Sequence, residues 1–493
     1  MFRPGLFPFA PCGPMLRPRG ERNEFIIPFC SAHVKVVQGR ILSYNKSRPK
    51  ERQRGRPGPP GARRGGKAVR QKEECIAMKI KLRLAAAYLV PCLRWLVLAV
   101  LVGCIVGPCG AAFGLALNWA ADTRAARPWL LFLLPLAGAA IAALYHGAGQ
   151  PNGGSTNAVF RAVRDNVLLP LSAAPLIFVS TVATHLFGGS SGREGAALQL
   201  GGAISGQLGR ALHLDEKDSR IMTMCGMAAA FSAIFGTPLT ATVFTLEVVS
   251  VGNMYYAALL PCLTAALVGV WIAGLMGLSP TAFVLTEAAE LTPLCLVQVA
   301  ALSALVGGLS IVFCELLHAA PRLYKRFVPN PFLRAAVGGA LVLGLTLLLG
   351  TTDYNGAGGA VIAAAVAGQA VPYAFVLKML FTALTLGAGF KGGEIVPIFF
   401  TGATFGCVVG PLLGLPAPFG AAVGMAALFC GCTNTPLAST FLAIELFGGQ
   451  SIPLFALACA VSYLVSGYFS LYTEQHIMYS KLRAEFVNRP AGG

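Results

Sequence analysis

The sequence has few charged side chains for its length. Asp, Glu, Lys and Arg make up 12% of its 493 residues, whereas a soluble globular protein has about 25%. Apolar residues reach 55%, and there are 58 glycines. The shortage of charge leaves too little polar surface to cover a soluble protein of this size, so we interpret the chain as a membrane protein.

Closely paired cysteines are also missing. The 14 cysteines are scattered through mostly apolar stretches, and none forms a Cys-x-x-Cys pair. This spacing excludes the usual zinc-binding patterns and the dense framework of a disulfide-stabilised secreted domain. We expect the cysteines to pack inside membrane helices, and we predict neither a metal site nor a cofactor.

The net charge of +18 is concentrated near the N-terminus. Residues 1–77 contain 17 Lys or Arg and 5 Asp or Glu, in a Pro-, Gly- and Arg-rich order without apolar periodicity. We predict that this basic segment is disordered, or that it is a mis-assigned start upstream of Met78. A tail that binds lipid or nucleic acid is the alternative that its charge allows; we predict no nucleic-acid partner.

Long apolar stretches begin at residue 84. Eleven of them lie between residues 84 and 469, and about 20 apolar residues cross a bilayer. The chain is therefore predicted to be an all-α polytopic membrane protein, with a transmembrane domain over 78–485 and a short tail over 486–493. Glycine interrupts the stretches at 188–211 and 387–414. Inside a membrane, a helix can be interrupted only where its backbone is buried in protein or lines a cavity.

The chain contains an internal repeat. Residues 226–247 and 424–445 are identical at ten of 22 positions, at an offset of 198. Gly192-Arg193-Glu194 likewise matches Gly392-Gly393-Glu394, and each triplet opens an apolar helix. Paired broken helices are typical of transporters in which helix starts near the midplane hold an anion through unpaired N–H groups. The two halves are placed at about 84–278 and 290–485.

The repeat pairs four acidic residues. Only 15 Asp or Glu lie beyond residue 77, and four of them fall at intramembrane positions: Glu194, Glu247, Glu394 and Glu445. An intramembrane carboxylate is costly and is by default a functional candidate. For Glu194 we favour a functional role over a local pair with Arg193. Glu394 stays open between a coupling role and a helix cap, and we expect structural hydrogen bonds from Glu247 and Glu445.

Three glycine-containing motifs and one tyrosine indicate a family. Gly192-Arg193-Glu194-Gly195 is followed by Ala196, and Gly393-Glu394-Ile395-Val396-Pro397 occupies the matching place in the second half. Gly154-Ser155 and Tyr472 complete the set. The chain thereby resembles the CLC family of chloride channels and anion/proton antiporters, whose motifs read GREGP, GxFxP and GSGIP and whose pore contains a tyrosine. The resemblance implies an inverted-topology repeat of two helical halves, with broken helices at the midplane.

The branch within that family stays open between chloride and fluoride. The stretch Gly389–Glu394, GFKGGE, looks most like the fluoride/proton antiporter branch. Val396 departs from the threonine of that branch, and Ser155 is typical of chloride-type members. The Glu-Glu pair of chloride/proton antiporters is absent because Val248 follows Glu247, which leaves Glu394 as the candidate substitute.

The resemblance implies transmembrane halide transport, of chloride or fluoride, by anion/proton antiport. Glu194 would be the gating and proton-coupling residue, and Glu394 a secondary candidate for coupling. The partners would be the halide, protons and the lipid bilayer, in a homodimer of the cell (inner or plasma) membrane with a cytoplasmic N-terminus. The candidate anion-binding residues are Ser155, Gly192, Arg193, Gly195, Ala196, Ile395, Val396 and Tyr472.

Two other functions stay open at this stage. The nearer alternative is a passive, voltage-gated-type chloride channel. The distant alternative is an intramembrane serine protease, because Gly189-Ser190-Ser191-Gly192 contains a GxSG motif. Such a protease needs a histidine that activates the serine.

Overall fold

The predicted all-α membrane fold is confirmed by a computed structural model, which describes residues 62–150 and 155–492. The chain divides into two units, residues 1–83 and 84–493. Sixteen α-helices and three strands lie within the described residues. The helices are α1 Ala62–Ala126, α2 Leu134–Gly147, α3 Thr156–Asp165, α4 Ala173–Leu186, α5 Glu194–Ala211, α6 Glu216–Phe235, α7 Pro238–Glu247, α8 Leu259–Leu275, α9 Pro293–Phe327, α10 Pro331–Leu349, α11 Gly359–Val366, α12 Ala374–Ala388, α13 Ile395–Leu412, α14 Ala417–Thr433, α15 Pro436–Phe447 and α16 Ile452–Val465. Two short 3-10 helices cover Pro128–Leu133 and Tyr256–Ala258.

The first unit is helical from Ala62 onward. Residues 1–61 of the basic segment lie outside the described residues, so the prediction of disorder stays untested there. Residues 62–77, at the end of this segment, are helical, and the disorder of the segment stays a prediction. Pro60 is the last proline of the basic segment. Ala, Arg, Lys, Gln and Glu, which favour helices, dominate the residues from 62 to 77.

Six helices in the described part of the chain are long and apolar enough to span a membrane. Five further apolar helices have only 10–17 residues: Ala173–Leu186, Ala374–Ala388, Ala417–Thr433, Pro436–Phe447 and Ile452–Val465. Short helices are compatible with a membrane only if their ends are buried in protein or line a cavity. The helix ends are therefore where a transport site belongs.

The repeat is visible as one helix pair that occurs twice. A Cβ atom on Gly201 of α5 would lie 2.1 Å from the Gly226 carbonyl oxygen of α6, and one on Gly402 of α13 would lie 2.4 Å from the Gly424 oxygen of α14. Only glycine allows the backbones of two helices to approach this closely. The two halves thus bury their broken helices against equivalent partners.

A small sheet lies at the C-terminal end. β1 (Ser250–Val251) pairs in parallel with β2 (His476–Tyr479), and β2 pairs antiparallel with β3 (Phe486–Pro490). The residues predicted to be a short tail are therefore bound into the fold, and the Ala491 amide also donates to the Gln475 carbonyl at 2.8 Å. Hydrophobic patterning does not indicate β3, because its side chains are mostly exposed and its pairing depends on backbone hydrogen bonds.

Candidate functional site

Two glycine loops pair with each other where the halves of the repeat meet. The Gly192 amide donates to the Gly393 oxygen at 2.6 Å, and the Gly393 amide donates to the Gly192 oxygen at 2.7 Å, which forms an antiparallel bridge. α5 begins two residues after Gly192 and α13 two residues after Gly393. The N-termini of both helices therefore adjoin, and their unpaired first-turn amides and positive dipole ends share one place.

Glycine is required at this junction. A Cβ atom on Gly393 would lie 2.8 Å from the amide nitrogens of both Glu194 and Gly195. A Cβ atom on Gly195 would lie 2.6 Å from the Thr156 Oγ1 and 3.1 Å from the Glu394 Oε2. Because both oxygens border the same glycine, the start of α3 and the start of α13 both reach the first turn of α5.

The Glu194 side chain joins the two helix starts. It is fully buried, and its Oε2 accepts hydrogen bonds from the Arg193 amide at 3.0 Å and the Val396 amide at 3.3 Å. Its Oε1 lies 3.6 Å from the Arg193 Nε, so the local pair weighed for Glu194 is also present. The carboxylate oxygen occupies the position that an anion held by these amides would take.

Several buried polar atoms around this junction have no hydrogen-bond partner in the described residues. They include the Thr156 Oγ1, the Glu194 Oε1, the Glu394 Oε2 and the Tyr472 Oη. The Tyr472 ring packs edge-on against Phe160 of α3, with ring centroids 4.8 Å apart. Buried polar groups are normally paired, so a cluster of unpaired hydroxyl and carboxyl groups around two helix N-termini indicates a ligand-binding site.

Glu394 does not cap α13. It stands at the N-cap position, but its side chain makes no capping hydrogen bond, so the cap interpretation is wrong. Its backbone has helical dihedral angles, φ −101° and ψ −17°, whereas a capping residue normally has extended ones. Its side chain instead lines a cavity of about 790 Å³ that also touches His318, Lys325 and Lys391. We call this cavity the lysine vestibule.

Ser155 lies just before α3, where it lines the lysine vestibule together with Glu394. It is exposed and is the N-cap of α3, and its hydroxyl accepts a hydrogen bond from the Asn157 amide at 3.3 Å. The next residue, Thr156, has a buried hydroxyl beside Gly195, in the first turn of α5. Thr156 was missed from the sequence, although a Ser-Thr pair at a helix start contains the signal.

The other predicted anion-binding residues lie together at the paired helix starts. Val396 contributes an amide to Glu194, and Arg193 contributes both an amide and its guanidinium group. Tyr472 lies close enough to interact electrostatically with Glu194 and Glu394. The residues that the structure brings to this junction are Gly192, Arg193, Gly195, Ala196, Ile395, Val396 and Tyr472.

The second acidic pair forms structural hydrogen bonds, as predicted. The Glu445 carboxylate at the end of α15 accepts from the Leu239 and Thr240 amides at the start of α7, both at 2.8 Å. The Glu247 carboxylate at the end of α7 accepts from the Leu437 amide at 3.2 Å and the Ala438 amide at 2.9 Å, at the start of α15. Each half of the repeat therefore caps a helix of the other half.

The GxSG segment lacks the geometry of a protease. The Ser191 hydroxyl has no hydrogen-bond partner in the described residues, and the Ser190 hydroxyl pairs with the Thr382 hydroxyl at 3.1 Å. The buried ring of His185 bonds the carbonyl of Thr181, on its own helix, through Nδ1. No histidine of the described chain is hydrogen-bonded to either serine, so a nucleophile and base are not paired.

Comparisons with known proteins give one family. The profile described as "Voltage gated chloride channel" matches residues 137–467. A "Chloride/fluoride channel protein" of Pseudomonas syringae pv. tomato is 38% identical over 395 residues, which cover 79% of this chain and 87% of that protein. The crystal structure of a CLC-type fluoride/proton antiporter is 35% identical with a TM-score of 0.74, over 78% of this chain and 97% of that one. A slow cyanobacterial Cl⁻/H⁺ antiporter is similar in fold, with a TM-score of 0.66 and 21% identity over 76% of this chain and 94% of that one.

Proposed function

Because the chain belongs to the voltage-gated chloride channel (CLC) family, we propose that it is a fluoride/proton antiporter whose gate is Glu194. Members of this family are anion transporters and channels, so the chain is a CLC-type membrane anion transporter and not an enzyme, and the serine protease alternative is wrong. Antiport is preferred to a passive channel because the solved structure that is 35% identical is that of a fluoride/proton antiporter.

The position of the Glu194 carboxylate is the observation that carries the proposal. Its Oε2 accepts hydrogen bonds from the amides of Arg193 and Val396. A transported anion needs the same two donors. An anion and this carboxylate therefore compete for the same donors. Protonation removes the negative charge of Glu194 and weakens its charge-assisted hydrogen bonds, so the neutral side chain leaves and the anion enters. One anion binding event is thereby linked to one proton.

Glu394 is proposed as the second proton carrier. It lines the lysine vestibule, and its Oε2 lies beside Gly195, in the first turn of α5. A carboxyl group between water and the gate is placed to pass protons between them. The hydroxyls of Thr156 and Tyr472, both buried and unpaired among the described residues, are the donors that complete the anion site.

Fluoride is preferred to chloride on two grounds. The GFKGGE segment resembles the fluoride branch, and the two most similar proteins described above carry fluoride in their names. Ser155, the residue that favours chloride, accepts a hydrogen bond from the Asn157 amide, and it lines the lysine vestibule together with Glu394. Chloride stays the second candidate because the 38% identical relative is named for both ions.

The surroundings of the protein are also part of the proposal. We place it as a homodimer in the cell (inner or plasma) membrane, in contact with lipid. Large apolar side chains such as Trp271 and Leu275 are mostly exposed in the isolated chain, and a bilayer or a second subunit would cover them. The excess of Lys and Arg in residues 1–77 favours a cytoplasmic N-terminus by the positive-inside rule.

The test is flux from proteoliposomes loaded with fluoride or chloride, with anion efflux and proton uptake recorded together. The wild-type protein should export fluoride faster than chloride and move protons in the opposite direction. Glu194→Gln should abolish proton movement, and Glu394→Gln should slow it at least tenfold. Glu287→Gln changes an acid on an exposed loop and should leave both fluxes as in the wild type.

Two results would contradict the proposal. Undiminished proton movement in Glu194→Gln would remove the gating role of this residue. A strong preference for chloride in the wild-type protein would remove the fluoride assignment and leave the gate unchanged.

A further inference from the structure

The loop that carries Tyr472 is held by hydrogen bonds within itself. It runs from Ser470 to Gln475, between α16 and β2, and we call it the tyrosine loop. The Ser470 Oγ accepts a hydrogen bond from the Tyr472 amide at 3.1 Å and donates to the Gln475 Oε1 at 2.8 Å. The Gln475 amide donates to the Tyr472 carbonyl at 3.2 Å. Both backbone groups of Tyr472 are therefore bonded inside the loop.

The Gln475 side chain is the centre of this arrangement, and it is fully buried. Its Oε1 accepts from the Ser470 Oγ at 2.8 Å and the Asn434 Nδ2 at 3.1 Å. Its Nε2 donates to the carbonyl groups of Val248 at 2.8 Å and Thr433 at 2.7 Å. A primary amide has two N–H donors and two lone pairs on its oxygen. Gln475 therefore forms every hydrogen bond that its side chain can make, and none is left for a ligand.

Gln475 connects both halves of the repeat to the tyrosine loop. Val248 directly follows α7 in the first half, and Thr433 is the last residue of α14 in the second half. Carbonyl groups at the C-terminal end of a helix lack partners within that helix, and the Gln475 Nε2 supplies one to each. The Asn434 Nδ2 also donates to the Phe469 carbonyl at 2.9 Å, just before the loop. Movement of the loop therefore breaks hydrogen bonds to both halves.

The Tyr472 hydroxyl has no anchor of its own in the described residues. Its Oη is buried there without a hydrogen-bond partner, and its ring packs edge-on against Phe160, with ring centroids 4.8 Å apart. An apolar contact is not directional, so it does not aim the hydroxyl. The backbone of the tyrosine loop therefore determines where the hydroxyl lies.

The tyrosine loop is also bound to α3. The Glu474 carboxylate pairs with Arg161 and with Arg164, whose Nη2 donates at 2.8 Å. α3 begins with Thr156, the other proposed hydroxyl donor, so these pairs relate the two donors to each other. They are partly exposed, and exposed ion pairs contribute little because water and salt screen them. The buried hydrogen bonds of Gln475 therefore contribute more to holding the loop.

We propose that Gln475 is a positioning residue for the anion site. It holds the tyrosine loop so that the Tyr472 hydroxyl points at an anion bound between the starts of α5 and α13. Gln475 does not contact the anion, and it changes the affinity for the anion only through Tyr472. This inference rests on the proposed function, because it takes the Tyr472 hydroxyl as a donor to the anion.

A hydrogen bond to an anion depends on the placement of its donor. The bond weakens steeply when the angle at the hydrogen falls below about 120°. The hydroxyl lies at the far end of the tyrosine side chain, so a small rotation of the loop backbone moves it further than it moves the Cα atom. Loss of the Gln475 hydrogen bonds should therefore weaken anion binding, although every group that binds the anion is still present.

The first test is a double-mutant cycle with Tyr472. Gln475→Met keeps a side chain of similar size without its hydrogen bonds, and it should raise the KM for fluoride about fivefold in proteoliposome flux. Tyr472→Phe removes the donor itself and should raise the KM about tenfold. In the Tyr472→Phe background, Gln475→Met should change the KM by less than about twofold, because no hydroxyl remains to be positioned.

Two controls separate this effect from a general disturbance of the protein. Gln369→Met makes the same substitution at an exposed glutamine after α11, and its KM should stay within about twofold of the wild type. Glu474→Gln changes the neighbouring residue of the tyrosine loop and its partly exposed ion pairs. Its KM should also stay within about twofold of the wild type.

A milder variant keeps the inference testable if Gln475→Met does not fold. Ser470→Ala removes only the hydroxyl that joins the Tyr472 amide to the Gln475 Oε1. It should raise the KM about threefold in the wild-type background and leave it unchanged in the Tyr472→Phe background. Thermal unfolding in detergent shows whether each variant is folded before its flux is measured.

The outcomes distinguish this inference from the proposed function. If Gln475→Met and Ser470→Ala leave the KM unchanged, or raise it equally with and without the Tyr472 hydroxyl, the positioning role is wrong and the gate stands. If Tyr472→Phe leaves the KM unchanged, the hydroxyl is not a donor, and the positioning role is wrong as well. If Glu194→Gln leaves proton coupling intact, the gate fails, and the cycle at Tyr472 still tests the positioning role.

Discussion

The two pairs of repeat-related carboxylates differ in how fully they are hydrogen-bonded. Glu247 and Glu445 form a symmetric pair, in which each carboxylate accepts two backbone amides from a helix start in the other half. Glu194 and Glu394 form an asymmetric pair. Glu194 reaches the Val396 amide of the other half, whereas the Glu394 Oε2 has no partner in the described residues. The same duplication therefore produced one satisfied pair and one unsatisfied pair.

The difference separates structural from functional acids. A fully hydrogen-bonded carboxylate stabilises the fold and has no reason to move. A buried carboxylate with unpaired oxygens is costly to retain, so its presence indicates a role other than stabilising the fold. Each prediction below removes one feature on which this comparison rests.

The largest effect is expected from Gly393→Ala. The new Cβ atom would lie 2.8 Å from the amides of Glu194 and Gly195, which fills the space where the carboxylate or an anion meets α5. Anion flux in proteoliposomes should fall at least tenfold. Gly308→Ala, at a helical glycine whose added Cβ would meet nothing within 4 Å, should leave flux unchanged. Normal flux in Gly393→Ala would mean that the helix starts do not form the anion site.

A smaller effect is expected from Glu445→Ala and Glu247→Ala. Each change leaves two helix-start amides without their acceptors, which should lower the free energy of unfolding by about 2 kcal/mol. Thermal unfolding in detergent measures this loss, and the ratio of anions to protons should stay as in the wild type. Uncoupled transport in either variant would contradict a purely structural role.

The smallest effect is expected at an ordinary ion pair. Hydrogen bonds from Arg161 and Arg164 lower the pKa of the Glu474 carboxyl from its ordinary value of 4.5. A lowered pKa stabilises the folded state above pH 4.5, and this contribution is lost as the pH falls through the lower folded-state value. Glu474→Gln should therefore cost about 0.5 kcal/mol at pH 7. Unfolding measured at a series of pH values below 7 should show this difference shrink as the Glu474 carboxyl of the wild type binds its proton.

Much of the site could be predicted because short sequence motifs form it. Two glycine-rich helix starts at a fixed offset, each followed by a glutamate, predict paired anion-binding helix ends. The structural role of Glu247 and Glu445 could be predicted as well, since each ends a repeated helix. The repeat relates these residues directly, so no knowledge of packing is needed.

Other features depend on which way a side chain turns. Ser155 and Thr156 are neighbours with similar chemistry, and only the start of α3 determines that the first caps the helix and the second lies beside Gly195. Glu394 stands at a cap position, but its helical backbone directs its side chain elsewhere. The hydrogen bonds of Lys378 could not be predicted, because a single lysine in an apolar helix does not indicate which carbonyl groups it will meet.

The bridge between Gly192 and Gly393 makes the proposed anion site depend on both halves of the polypeptide during synthesis. A ribosome that adds about 5–20 residues per second needs roughly 10–40 s to proceed from the first glycine to the second. During that interval Glu194 has no Val396 amide to bind, and the start of α5 has no partner strand. An unfinished chain, or a fragment that ends before α13, therefore enters the bilayer without an assembled anion site and offers no selective path for ions.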